Sequence, residues 1–286
     1  MNVGGPKYID KTGIVWAADK NYTAGSWGYV AGMNRTVTAA IAKTEDDPLY
    51  QSERYWSTSA LPAYRFPVTP AGLYQVTFKF AEHTWTAPNK RLFNVKLEGV
   101  RVARWFDIFV VAGGKNVAVD QAFTTLVTDG ELNIDFVRLS GFDIPKVEAI
   151  EVRYLGPAAA SSLASTPAEV GGNTLFIKAV GPDRAANSGN VEINILGENF
   201  QPGAQVTLGG VACANVRVLS SEEILCDAPA GPVGAVDVTI FNPDGQTATL
   251  AGGFTYYQPI GTPRVYMPAM ALGAVAPANT TDADEE

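Results

Sequence analysis

A single histidine, His83, and two cysteines, Cys213 and Cys226, leave this chain poor in the side chains that most often hold metals or act as nucleophiles. One histidine removes most histidine-based metal and triad chemistry, leaving a metal unsupported, and two cysteines fit neither a zinc pattern nor a disulfide-dense scaffold. Basic runs are absent too. With a formal net charge of −8, the chain offers no electropositive footprint for nucleic acid or an anionic membrane. The longest apolar stretch near the end, 265–278, is broken by Pro268 and Pro277 and is too short to cross a bilayer. Met1 runs into Asn2-Val3-Gly4-Gly5 without a basic segment or an apolar run, so no signal peptide is expected here and the sequence reads as a fragment.

What is present is strand patterning over 286 residues, enough chain for two medium domains. Helical periodicity is weak, whereas two-residue alternation recurs. Tyr74, Val76, Phe78 and Phe80 share one face of a predicted strand, with Gln75, Thr77 and Lys79 on the other. Phe93, Val95 and Leu97 alternate in the same way. Leu132, Ile134 and Phe136 follow the Thr128-Asp129-Gly130 turn, and Ile150, Val152 and Tyr154 close the run near Leu155. The first domain is therefore expected over 1–155. Residues 156–172, rich in Ala, Ser, Pro and Gly, read as a linker.

A second domain, expected over 173–257, alternates through Val191, Ile193 and Ile195, then Val206 and Leu208, then Val236, Val238 and Ile240, with a hairpin turn at Asn242-Pro243-Asp244-Gly245. Short strands at close spacing predict an immunoglobulin-like sandwich. Both cysteines lie here beside strand-like segments. A bridge between them would close a loop of about 14 residues, stabilise the fold by roughly 3 kcal/mol and place the protein outside the cytoplasm. The bridge is the expectation; buried free thiols are the alternative. Residues 258–286 decay into Pro, Ala and acidic residues and read as a disordered tail.

Binding chemistry concentrates in the first domain. In Leu49-Tyr50-Gln51-Ser52-Glu53-Arg54-Tyr55-Trp56, rings bracket a polar, charged core, which suits either a sandwich interior or a ligand platform. Sugars pack their C–H faces on rings and need directional partners for hydroxyls, so a carbohydrate site needs loop aromatics beside carboxylates or amides. Trp27 and Tyr29 in a Gly-rich loop, Tyr55, Trp85 and Asp143 supply these groups. A glycosidase using Glu82 and Asp143 is the enzymatic rival, and it requires one carboxyl with a raised pKa. Asp46-Asp47 is a weak calcium motif, and Gly113-Gly114 lacks the spacing of a phosphate loop.

Taken in order, Asn2-Val3-Gly4-Gly5, the Leu49–Tyr55 segment, Phe80-Ala81-Glu82, Phe93-Asn94-Val95 with Leu97-Glu98-Gly99, Phe106-Asp107-Ile108-Phe109 and Ile144-Pro145-Lys146-Val147 resemble a malectin domain across the first 155 residues. The resemblance implies an all-β, jelly-roll-like sandwich that binds glucose-type oligosaccharides through loop aromatics and an aspartate, without cleavage and with no cofactor. Carried over by position, Tyr55 and Asp143 retain the family's residues. The paired aromatics after Phe-Ala-Glu fall on Thr84 and Trp85, and the early loop tyrosine on Trp27 or Tyr29. Arg54 and Glu82 are expected as supports beneath these contacts. The second domain resembles the IPT/TIG immunoglobulin-like domain in Ile195–Phe200, Val206–Gly209, the cysteine pair and Phe254-Thr255-Tyr256, which implies a spacer or adhesion unit. The combined reading is a non-catalytic glycan binder at the cell surface or outside the cell, with no membrane insertion. The rival is an architectural module whose rings are buried or far apart.

Overall fold

The computed structural model describes residues 1–56, 62–157 and 174–259. Alternation along Gly72–Phe80 is strict: every second side chain is buried, and the strand pairs with Val119–Val127 on one side and Ala149–Gly156 on the other. Facing it is a five-stranded sheet in the order Gly28–Tyr29, Ala63–Pro67, Glu131–Arg138, Phe93–Leu97, Val100–Phe106. Aromatic rings fill the space between the sheets. Phe78 meets Phe136 edge-on at 5.6 Å, Phe80 meets Phe106 at 4.9 Å, and Trp56 stacks on Phe136 at 5.0 Å. Tyr154 departs from the expected inward face; it is exposed at the strand end and packs on Tyr74 at 5.2 Å.

A third, small sheet of Met33–Thr36, Ser52–Tyr55 and Lys146–Val147 sits against this sandwich. Its central strand belongs to the segment that the sequence left open between core and binding, and it serves both. Leu49, Tyr50 and Trp56 are buried, while Tyr55 is only half-buried.

The second domain is a sandwich of four strands, Phe176–Gly181, Glu192–Glu198, Glu223–Asp227 and Ala214–Ser220, on five: Arg184–Ala186, Thr247–Tyr257, Gly234–Phe241, Gln205–Leu208 and Val211–Ala212. Ile193, Ile195, Val206, Leu208, Val238 and Ile240 fill its core, as their alternation predicts. Gly245, at φ 89°, and the Gly245 N–H to Asn242 carbonyl bond of 3.0 Å form the expected turn. Cys213 and Cys226 correct the sequence reading: both are free thiols. They meet in a hydrogen bond rather than a covalent one, and that contact together with burial pushes the Cys226 thiol up. The linker and tail expectations fall almost wholly outside the described residues.

The two sandwiches touch directly. Leu92, Leu139 and Phe142 of the first form one apolar cluster with Ala179 and Leu196 of the second. Around it, Arg101 forks onto Glu222 at 2.5 and 2.8 Å, Arg104 reaches Glu198 at 3.0 Å, Lys90 pairs with Asp183, and the Asn194 amide donates to the Ser140 carbonyl at 2.9 Å. At Gly141, with φ 81°, a Cβ would lie 1.8 Å from the Gly181 carbonyl oxygen, so the two backbones meet where only glycine fits.

Because Phe136 touches rings from both sheets and from Trp56, Phe136→Ala is expected to destabilise the first domain by about 3–5 kcal/mol, read from its denaturant midpoint.

Candidate carbohydrate-binding cleft

Strand period two puts Glu53 and Tyr55 on one face of Ser52–Tyr55, and the register sets Arg35 directly opposite Glu53. Their face forms one wall of a cleft of about 360 Å3; Thr84 and Trp85, with Asp143 and Ile144, form another, and Arg91 closes it. Tyr55, Thr84, Trp85 and Asp143, remote from one another in sequence, are thus brought together. Asp143 is oriented by three donors. Its Oδ2 accepts from the Trp85 indole at 2.7 Å and pairs with Arg91 at 2.8 Å, while its Oδ1 accepts from the Ile144 N–H at 2.8 Å. The indole plane is fixed by the same bond.

Beneath the cleft lies a buried ionic network. Arg91 bonds Glu82 through Nε at 2.8 Å and also donates to the Ile144 carbonyl, so one guanidinium joins the two loops that carry Trp85 and Asp143. Glu82 in turn accepts from the backbone N–H groups of Thr84 and Trp85 at 2.8 and 3.2 Å. Burial pushes the Glu82 carboxyl up, but Arg91, Lys146 and the Thr84 N–H outweigh it and hold it at about 2. Glu82 is therefore an ionised anchor for the loop.

Lys146, fully buried, places its ammonium 2.7 Å from Glu53 and 2.8 Å from Glu148, and it donates to the Ala81 carbonyl. Glu53, His83 and Glu148 bring ligand-type atoms within 4.8 Å of one another, the spacing of a metal site. The Lys146 ammonium already serves both carboxylates there, so a fixed protein cation takes the part a metal would play. His83 Nε2 donates to the Tyr50 carbonyl at 2.8 Å, which occupies it structurally. Asp46 and Asp47 are likewise committed to protein donors, Tyr8 at 2.8 Å and the Ile41 N–H at 3.2 Å, and Gly113 caps the short helix Ile108–Ala112.

Three expected residues lie elsewhere. Trp27 stacks on Phe66 at 6.1 Å and lines a separate apolar hollow with Met1 and Trp16. Tyr29 lies under the Arg54 guanidinium at 3.2 Å and packs edge-on against Tyr64. Arg54 itself faces away from the cleft, paired with Asp19 at 2.8 Å, because it alternates with Glu53 and Tyr55 along the strand. Neither of the two rings offered for the early loop position, nor Arg54 as their support, lines this cleft. Arg35, Glu53 and Arg91, which do line it, escaped the sequence reading. Period two from Tyr55 would have pointed to Glu53.

Residues 1–150 match the family model described as Malectin domain. The chain belongs to the malectin family. Downstream of the malectin domain, residues 175–256 match the IPT/TIG domain model. Human malectin is 28% identical over 165 residues, covering 53% of this chain and 54% of its own length. Malectin-B of Xenopus laevis is 28% identical over 134 residues, with 47% of each chain covered, so this chain spans about half the length of these curated relatives. Among solved structures, a beta-glucuronidase of Bacteroides uniformis aligns over 54% of this chain and 18% of its own, at 25% identity and a TM-score of 0.48.

The depressed Glu82 carboxyl sets a pH dependence. Its folded pKa lies below the ordinary 4.5, so its stabilisation is complete above pH 4.5 and is lost as pH falls toward 2. Glu82→Gln is expected to cost roughly 3 kcal/mol at pH 7 and progressively less below pH 4.5, measured by denaturation across that range.

Proposed function

We propose that the malectin domain binds carbohydrate without cleaving it, with glucose-type oligosaccharides as the first ligand class. One observation carries this reading: two rings, a threonine and an oriented aspartate from distant segments converge on a single open cleft. Tyr55 and Trp85 offer faces for sugar C–H groups, Asp143 accepts from hydroxyls, and Thr84 and Arg35 supply donors at the rim. The fixed indole and carboxylate are preorganised, which limits the ordering cost of binding.

Hydrolysis is disfavoured by the same chemistry. A glycosidase needs a carboxyl held protonated near neutrality, whereas Glu82 is driven the other way and committed to backbone donors. Asp143 is tied through Oδ2 to Arg91 and Trp85.

The working unit is taken as a malectin domain over 1–155 and an IPT/TIG domain over 173–257. Family habit favours a location outside the cell, where glycans are encountered; a probable LRR receptor-like serine/threonine-protein kinase of Arabidopsis thaliana is 26% identical over 162 residues. Among the described residues no helix is long and apolar enough to cross a membrane.

Calorimetric titration with α- and β-linked gluco-, galacto- and manno-oligosaccharides tests the proposal. Saturable binding to one linkage is expected, with Tyr55→Ala and Trp85→Ala each weakening it at least about tenfold at an almost unchanged melting temperature. Silence across the panel would hand the cleft to the architectural reading.

A further inference from the structure

The cleft does not end at Trp85 and Asp143. Both residues also line a second groove, of about 500 Å3, whose far wall comes from the IPT/TIG domain: Gly181, Pro182, Asp183 and Arg184. The groove is larger than the malectin cleft it adjoins, and each is within the usual size of a ligand site.

Three features make that wall part of a site. It is held in place: Lys90, on the malectin side of the groove, pairs with Asp183, and the backbones meet at Gly141 and Gly181 on its floor. Its chemistry is mixed, with the Trp85 ring and Pro182 beside amide and charged groups, as a saccharide chain requires. It also presents an uncommitted donor. Arg184 is exposed at the start of the strand Arg184–Ala186, and among the described residues its guanidinium has no hydrogen bond or ion pair, whereas the other three charged groups lining the groove, Lys90, Asp183 and Asp143, are all paired.

We infer that the carbohydrate site continues across the domain junction, so that its ligand is an oligosaccharide longer than the malectin cleft holds, with Arg184 donating to sugar oxygens at the far end. This rests on the carbohydrate reading of the cleft. It assigns the IPT/TIG domain a share in recognition in place of the spacer role that the sequence implies. The indole of Trp85 is the shared platform at which the chain passes from one domain to the other.

The test is calorimetry on the full chain with the same gluco-, galacto- and manno-oligosaccharides graded from disaccharide to hexasaccharide, beside Arg184→Ala and a control, Arg138→Ala. Arg138 is also exposed at the junction but lines a different cavity that shares no residue with the groove. Affinity is expected to rise with chain length. Arg184→Ala is expected to weaken the longest ligands about tenfold while leaving disaccharide binding and the Arg138→Ala control unchanged. Equal affinity for short and long chains, or equal losses in the two variants, overturns the inference and leaves the cleft reading standing. Absence of binding at every length overturns both.

Discussion

Arg91 is the tie on which the cleft depends. Its guanidinium has a fixed planar fork, and here the donors of that fork are divided between the Glu82 carboxylate, the Asp143 carboxylate and the Ile144 carbonyl. Those partners belong to the loop after Phe80 and the loop before Lys146, which otherwise have little in common. Removing this positive charge would leave the Glu82 and Asp143 carboxylates with only their remaining donors and the Lys146 charge to offset their repulsion. The Trp85 ring and Asp143 are joined by their own 2.7 Å bond, and Arg91 fastens that pair to Glu82. Lysine could supply the charge but not the planar geometry.

Around that tie the aromatic sandwich acts as a rigid mount. Phe78, Phe80, Phe93, Phe106 and Phe136 form a continuous set of ring contacts, with Trp56 stacked at its edge one residue beyond Tyr55. A binding residue is thus anchored by its own neighbour in sequence. Lys146 pairs with Glu53 inside the small sheet and also donates to the Ala81 carbonyl just beyond Phe80, so the wall bearing Tyr55 is braced from below against the sandwich.

Much of this was legible in the sequence for reasons of period and spacing. Tyr74, Val76, Phe78 and Phe80 declare a half-buried strand by alternation alone, and Tyr55, Trp85 and Asp143 sit in short motifs whose order marks the family. The charged framework was not legible. Glu53 and Lys146 are 93 residues apart, and Arg101 and Glu222 are 121 apart, so nothing local distinguishes these charges from ones that face water. Trp27 and Tyr29 show the converse. A Gly-rich loop reads as exposed, yet Phe66 and Arg54 cover these rings through contacts that no local pattern encodes. The cysteines were misread because closeness along the chain and even contact in space do not amount to a bond.

The apolar cluster shared by the two domains bears on how this protein can be handled in the laboratory. Leu139 and Phe142 are buried, and Leu92 is wholly so, in a cluster completed by Ala179 and Leu196 from the other side. A recombinant piece that stopped at the first domain would turn that seam toward water beside the unshielded guanidinium groups of Arg101 and Arg104. Such a piece would be prone to self-association, and its stickiness in a glycan-array screen would report on the cut surface instead of the sugar site. Glycan-array work on this chain therefore calls for both domains kept together.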